Sequence, residues 1–416
     1  MSALQSNKFD VLIVGGGVAG SSLGCVLAER GLGVALVERE AVFRDKVKGE
    51  GLHPWGYREV KTLGLDQVLF AAGAKELPNW QLYTNRVAIE PILWEADEVN
   101  PLPEVTVSHP ALQEALISEA AKRGAEVFRP GKVRLLASAE RPELEVSVGR
   151  KSVQFQPRLI VGADGRNSTV RQWMGAKLRR DPRHHWLGGA LFAGITLAEG
   201  ATHGANFSGG RTFVFPQGQG VARAYLVASD AIARELRGPE RIHRFAEQCA
   251  RVLPEGAFAR ARAAGPTAVV PNNDLWSSTI ASGPFVLIGD AAGANDPSLG
   301  HGLSLVFRDV RELRDLLASA AIWKSASEEF ERRRQAYFDV LRVYAKWTGV
   351  LTVETGQEAE KRRERVARAR EADPSAGGFA TIFSRGPDGL TVDETSRRHF
   401  FGEDLHERMG DICPRA

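Results

Sequence analysis

Residues 9–38 read FDVLIVGGGVAGSSLGCVLAERGLGVALVE, and the fold follows from this stretch. Residues 9–14 are rich in β-branched and large apolar side chains, as a strand buried on both faces requires, and a glycine turn follows directly. A helix is predicted from about residue 18 to 30, stopped by Gly31, and residues 34–38 supply a second buried strand. Gly15, Gly17 and Gly20 stand in a GxGxxG arrangement. The first makes the tight turn, the second lets a pyrophosphate approach the backbone, and the third allows close packing of helix on strand. The helix N-terminus then offers free N–H groups to phosphate. Glu38, eighteen residues beyond Gly20, is placed to accept hydrogen bonds from a ribose whose 2′-hydroxyl is free. Arg39, next to it, is counted with the cofactor residues. These residues predict a dinucleotide-binding βαβ unit, and both FAD and NAD are compatible with it.

Working outward, Pro110 opens a second helix with Leu112, Ala115, Leu116, Ala120 and Ala121 on one face, and Gly124 stops it. Residues 158–161 and 285–288 read as further short buried strands. Between about 186 and 270 the texture changes to short alternating runs bounded by glycines, which predicts an antiparallel sheet. Residues 302–320 and 328–370 carry helical patterns. Past them, Pro374, Gly377 and Gly378 are expected to break any helix.

The chain has 416 residues, 43% apolar and 25% charged, the profile of a globular protein built from two or three units. Net charge is only +3, from 54 basic and 51 acidic side chains, so no basic field is available for nucleic acid. Cys25, Cys249 and Cys413 suit neither a disulfide framework nor a zinc site, so no metal is expected and a cytoplasmic home is. Residues 1–9 lack the apolar stretch of a secretory signal, and the glycine-broken run 11–28 argues against an integral membrane segment. The charged run 358–371 interleaves Glu with Lys and Arg at helical spacing and is read as a solvated helix.

Two further motifs follow the glycine turn in order. One is Gly162, Ala163, Asp164, Gly165, then Ser168, Val170 and Arg171, after a buried strand. The other is Gly289, Asp290, Ala291, Ala292, then Pro297, Gly300 and Gly302, before a helix. Together with Gly15, Gly17 and Gly20 they make the chain resemble, over about residues 9–320, the class A flavoprotein monooxygenases, aromatic hydroxylases with a p-hydroxybenzoate hydroxylase-like fold. That resemblance implies an α/β fold with a Rossmann-like FAD-binding domain (residues 1–76, 108–180 and 271–325). It also implies an inserted antiparallel-sheet substrate domain (77–107 and 181–270) and a C-terminal helical region (326–416). It favours FAD over NAD as the bound dinucleotide, with Asp164 by the pyrophosphate, Asp290 on the ribityl chain, and the loop from Pro297 to Gly302 facing the flavin ring. A helix N-terminus there suits an anionic reduced flavin.

By the same resemblance, Lys46, Lys48, Gly49 and Glu50 form the loop between the FAD unit and the active-site face, with Lys48 a cation for reduced flavin. His109 stands where relatives carry an Arg along the cofactor. His53 and His301 lie on loops beside the ring and are the acid–base candidates, titrating near neutrality when unperturbed. Gly293 replaces the His usual after the two alanines, and Ser304 replaces an Asn. This gives the loop a partial likeness to the halogenase and geranylgeranyl reductase branches, although the paired-Trp halogenase signature is missing. The implied reaction is hydroxylation or epoxidation of an aromatic or polycyclic small molecule by O₂, through a flavin C4a-hydroperoxide, with NAD(P)H as reductant. Trp186, Leu187, Phe192, Phe213, Phe215 and Tyr225 are the aromatic and apolar residues of the substrate-side sheet, most of them expected to be core. A flavin-dependent reductase, a two-component oxygenase and a non-catalytic FAD-binding protein are the alternatives.

Overall fold

The computed structural model describes residues 9–137 and 141–404; Cys413 and residues 1–8 lie outside them. Val11–Val14 pairs in parallel with both Val34–Val37 and Leu159–Gly162, and all three strands are buried along their whole length. Glu126–Phe128 and Phe285–Leu287 extend this sheet, and Ala281–Ser282 adds an antiparallel edge. The glycine-rich helix, Val18–Ala28, is buried at every residue, because Ala19, Gly20, Ser21, Ser22 and Gly24 let it sit flat between sheet and neighbouring helix. That neighbour is His109–Lys122, whose buried face is Leu112, Leu116, Ile117 and Ala120. Ala121, expected on that face, is exposed, and Ile117 takes its place. Both helices end alike. Gly31 and Gly124 have φ of +80° and +104°, and the next residues, Leu32 and Ala125, donate back to Leu27 and Ala120.

A second, larger sheet runs in the order Arg262–Asn272, His185–Ala193, Val221–Ala228, Gly210–Gly218, Ala201–Phe207, Asn79–Thr84 and Val87–Ala88. The strand period of two divides its side chains. Leu187, Phe213, Phe215, Tyr225 and Val227 face one core. Phe192, Val214, Ala224 and Leu226 face the other, beneath Phe245 and Cys249 of the Arg241–Ala250 helix. The aromatic residues read together from the sequence therefore lie on two faces, with Phe192 turned from the site and Trp186 half-buried at its margin.

Three expectations need correction. The antiparallel region also contains the helices Asp230–Glu235 and Arg241–Ala250. The long C-terminal helix is two helices, Trp323–Val353 and Gln357–Ala372, parted at Gly356 with φ of +97°. Beyond Gly377 and Gly378 the chain forms Phe379–Ser384 and Glu394–Phe400, burying Ile382, Phe383, Phe400 and Phe401. Gly378, left-handed at φ of +56°, starts the first of these as its N-cap, so the glycine permits the helix it was expected to forbid. The Gln357–Ala372 helix is mostly exposed and laced by the pairs Lys361–Glu358 and Arg363–Glu360, as its charge pattern predicts.

Candidate functional site

At the C-terminal ends of the parallel strands lies a cleft of about 360 Å³, lined by Gly15, Gly17, Glu38, Arg39, Lys48, Gln113, Asp164 and Gly165. Its floor admits no side chains. Gly15 has φ of +105°, and a Cβ on it would stand 2.4 Å from the Ala163 carbonyl oxygen; one on Gly20 would stand 1.9 Å from that of Gly15. Gly17 is different, since a Cβ there would meet only Gln113 at 3.6 Å. Its role is to leave the helix N-terminus open. Glu38 is buried; one carboxylate oxygen accepts from the Gly16 amide at 2.8 Å and the other from the Glu40 amide at 2.7 Å. Each oxygen retains a lone pair for a further donor. Arg39 is exposed, 3.7 Å from Glu40.

Asp164 accepts the Thr169 amide through one oxygen at 2.6 Å, while its other oxygen is buried without a partner. Asp164 lines the cleft beside a glycine turn and a free helix N-terminus; its unpaired acceptor suits the hydroxyls of a dinucleotide, and the helix N–H groups suit its phosphates. The next motif is tied to this one through arginine. Arg171, buried, donates to the Ala291 carbonyl at 3.1 Å and to that of Arg166 at 2.6 Å, and Arg166 stands 3.5 Å from Asp290. From behind, Asp309 accepts the Gly289 amide at 2.8 Å and is itself held by Arg334 at 2.9 Å and Tyr337 at 2.6 Å. Arg334 also donates to the Gly293 carbonyl at 3.1 Å. No sequence spacing foretells this buried triad.

Pro297 opens a single turn that Asp296 caps by accepting the Ser298 amide at 2.8 Å. Gly300 has φ of +69°, and a Cβ there would lie 2.9 Å from His53 Nε2. Gly302 is exposed at the start of the Gly302–Ser319 helix, whose first turn carries no acidic side chain. Pro297, Gly300, Gly302, His53 and His301 are thus brought together, but the histidines are not the free bases that the loops suggest. His53 is buried with Nδ1 2.8 Å from Glu104 and Nε2 2.7 Å from the Leu299 carbonyl, so both nitrogens are committed to acceptors. Glu104, fully buried, also accepts from Trp80 and Thr202 at 2.5 Å each; it is the partner the sequence reading missed. His301 is fully buried too, its Nδ1 accepting from Trp55 at 3.4 Å. Burial, with the nearby His53 charge, pushes its imidazole well below the usual range.

The loop 45–50 lies over the large sheet. Glu50 binds Arg223 through both oxygens at 3.0 Å, Asp45 takes the same guanidinium at 2.5 Å, and Tyr225 donates to the Lys48 carbonyl at 2.8 Å. Arg223 is fully buried; against desolvation, the bonds from Glu50 raise its pKa above the ordinary range. The Lys48 side chain is exposed at the cleft. His109 touches the Gly49 carbonyl through Nδ1 at 2.9 Å, and burial together with the Lys48 charge pushes it down to about 4. It is not among the residues that line the cleft.

The model of the FAD binding domain family matches residues 8–331. Squalene monooxygenase of Mus musculus is 25% identical over 357 residues, which cover 81% of this chain and 60% of that protein. The chain therefore spans 60% of that relative's length, less than two thirds. Digeranylgeranylglycerophospholipid reductase 1 of Methanococcoides burtonii is 25% identical over 312 residues, 72% of each chain. Among solved structures, p-nitrophenol 4-monooxygenase PnpA from Pseudomonas putida aligns with a TM-score of 0.75 at 17% identity, covering 99% of this chain and 100% of that one, a likeness of fold. No helix among the described residues is long and apolar enough to cross a membrane.

Proposed function

The chain belongs to the FAD binding domain family, and from that premise we propose that it is an FAD-dependent monooxygenase that uses NAD(P)H and O₂ to hydroxylate or epoxidise an aromatic or polycyclic small molecule. One observation carries the reading: the glycine turn, Asp164 and the Asp290 loop, far apart in sequence, line or adjoin one cleft and are cross-braced by Arg171 and Arg166. When bound, FAD supplies hydride acceptance from NAD(P)H and the activation of O₂. The chain's own residues supply the rest. Gly15, Gly17 and the Val18–Ala28 N-terminus hold pyrophosphate, Glu38 and Asp164 accept ribose hydroxyls, and Asp290 accepts from the ribityl chain. The open N-terminus of Gly302–Ser319 and the exposed Lys48 stabilise negative charge on the reduced ring. Pro297 and Gly300 shape the wall beside it, with His53 bracing the turn through Leu299. Phe213, Phe215 and Tyr225 present the aromatic face toward which a planar substrate is oriented.

The test is anaerobic mixing of the FAD-loaded protein with NADH or NADPH, with and without an aromatic library, followed by ¹⁸O₂ and mass analysis of products. Bleaching of the flavin and one labelled oxygen per product are expected. Flavin that no pyridine nucleotide bleaches, under any substrate, overturns the proposal. A second reading, a flavin-dependent reductase of prenyl double bonds, is favoured by Gly293 in the loop and by the likeness to the Methanococcoides reductase. It predicts a product gaining two hydrogens and no oxygen.

A further inference from the structure

Beside the Pro297 turn, outside the FAD cleft, His184, His185 and Asp296 each bring one ligand atom to within 4.8 Å of the others. Nε2 of each histidine stands 3.5 Å from Asp296 Oδ2, and the two ring centroids are 4.4 Å apart. Neighbouring residues along a strand normally point to opposite faces, and the two consecutive histidines can converge because His184 precedes the strand His185–Ala193 and is not part of it. Asp296 and His185 are buried, and His184 keeps 29% of its side chain in solvent.

The accounting of polar atoms asks for a cation here. Asp296 Oδ1 is satisfied by Ser298 at 2.8 Å and Asn272 at 2.5 Å, whereas Oδ2, fully buried, has no donor. Such an orphaned carboxylate oxygen is costly unless an ion completes it. A separation of 3.5 Å is long for a hydrogen bond. It matches the edge of a coordination tetrahedron, about 3.4 Å for metal–ligand bonds of roughly 2.1 Å. Room for the rings comes from Gly349 near the C-terminal end of the Trp323–Val353 helix, where a Cβ would already lie 3.4 Å from His184 Nδ1 and 3.6 Å from His185 Nδ1.

We propose that His184, His185 and Asp296 bind one divalent transition metal ion of zinc-like preference, through two imidazole Nε2 atoms and one carboxylate oxygen, with the fourth position open to solvent on the His184 side. Two nitrogens and one oxygen suit a borderline metal better than calcium or magnesium. On binding, the ion replaces the Asn272 Nδ2 contact at His185 Nε2, now 2.5 Å, and Asn272 keeps its bond to Asp296 Oδ1. Each imidazole then stays neutral with its one proton on Nδ1, that of His184 moving there from Nε2, and the two Nδ1 atoms, 2.5 Å apart before binding, separate so that their N–H groups no longer face each other. The ion ties the large sheet to the Pro297 turn, with water in its fourth position.

The experiment uses the full chain loaded with FAD and purified without affinity metals or chelators. Metal per chain is measured by plasma mass spectrometry, Zn²⁺ affinity by calorimetry after chelator treatment, and Co²⁺ loading by its visible absorption. One equivalent is expected, and His184→Gln and His185→Gln should each weaken Zn²⁺ binding at least tenfold while bound flavin, read in the same samples, stays unchanged. His184 is partly exposed, so its variant serves even where a His185 variant fails to fold. Less than a tenth of an equivalent after Zn²⁺ loading of the wild type, or unchanged Zn²⁺ affinity in His184→Gln, overturns the site. Neither result bears on the flavin reading, which flavin content and bleaching decide separately.

Discussion

Gly20 and Gly24 lie one turn apart on the same buried helix and should respond to the same substitution with opposite signs. An alanine Cβ at Gly20 would stand 1.9 Å from the Gly15 carbonyl oxygen and 3.0 Å from Ile13 Cγ2, and the first of these is backbone that no rotamer change relieves. Relief needs the helix to move more than an ångström off the strand, an overpacking that costs about 3 kcal/mol at the upper end of such cases. Against this, alanine gains about 1 kcal/mol over glycine in a helix interior. A net loss of about 2 kcal/mol follows for Gly20→Ala. At Gly24 the new Cβ meets Ala120 Cβ at 3.5 Å and Leu36 Cδ2 at 3.7 Å, ordinary contacts, so only the gain of about 1 kcal/mol remains. The two variants should therefore differ by about 3 kcal/mol in urea unfolding of the apoprotein. Because the same shift withdraws the helix N-terminus from the cleft, Gly20→Ala should also weaken FAD binding, read by quenching of flavin fluorescence, on the order of tenfold or more for 1.4 kcal/mol lost. Equal stabilities, or Gly20→Ala binding FAD as tightly as Gly24→Ala, would refute the close-packing argument.

Arg334→Met leaves the Asp309 carboxylate buried without its cation and frees the Gly293 carbonyl, so a loss of about 3–5 kcal/mol in urea unfolding is expected; a loss under 1 kcal/mol would mean the triad does not brace the loop. Glu104→Gln keeps the shape but weakens charge-assisted bonds to His53, Trp80 and Thr202, and should cost about 1.5–3 kcal/mol by the same assay. His109, held down to about 4, binds its proton more readily in the unfolded chain near pH 6.5, so its contribution is complete above about 6.5 and falls as pH drops toward 4. His109→Gln, which can still donate to Gly49, should flatten that slope in a pH series of melting temperatures, and an unchanged slope would place the titration elsewhere.

How much was legible differs from element to element. The first βαβ unit was readable within a residue or two, because buried parallel strands are continuous apolar runs and both helices end on glycines whose left-handed backbone is a local requirement. The two histidines near the Pro297 turn show the opposite case. Their place near Pro297 followed from their loops, yet their state depends on Glu104, fifty-one residues from His53, and on Trp55 and Leu299. The terminal segment was misread because Gly377 and Gly378 were weighed as breakers, when Ile382, Phe383 and Phe400 had a core to enter.

By itself the sequence determined what depends on neighbours in the chain: the strand periodicity, the turns only glycine can make, and three motifs whose order points to one dinucleotide. Tertiary structure alone decided what depends on distance through space. It placed Asp164 in the cleft with Gly15 and Gly17, tied the Asp290 loop to that segment through Arg171 and Arg166, braced the loop with Arg334 and Asp309, turned Phe192 away, and brought His184 and His185 onto Asp296. The physical reason is that a hydrogen bond or an ion pair is set by burial and a few ångströms, and neither leaves a spacing to be read along the chain.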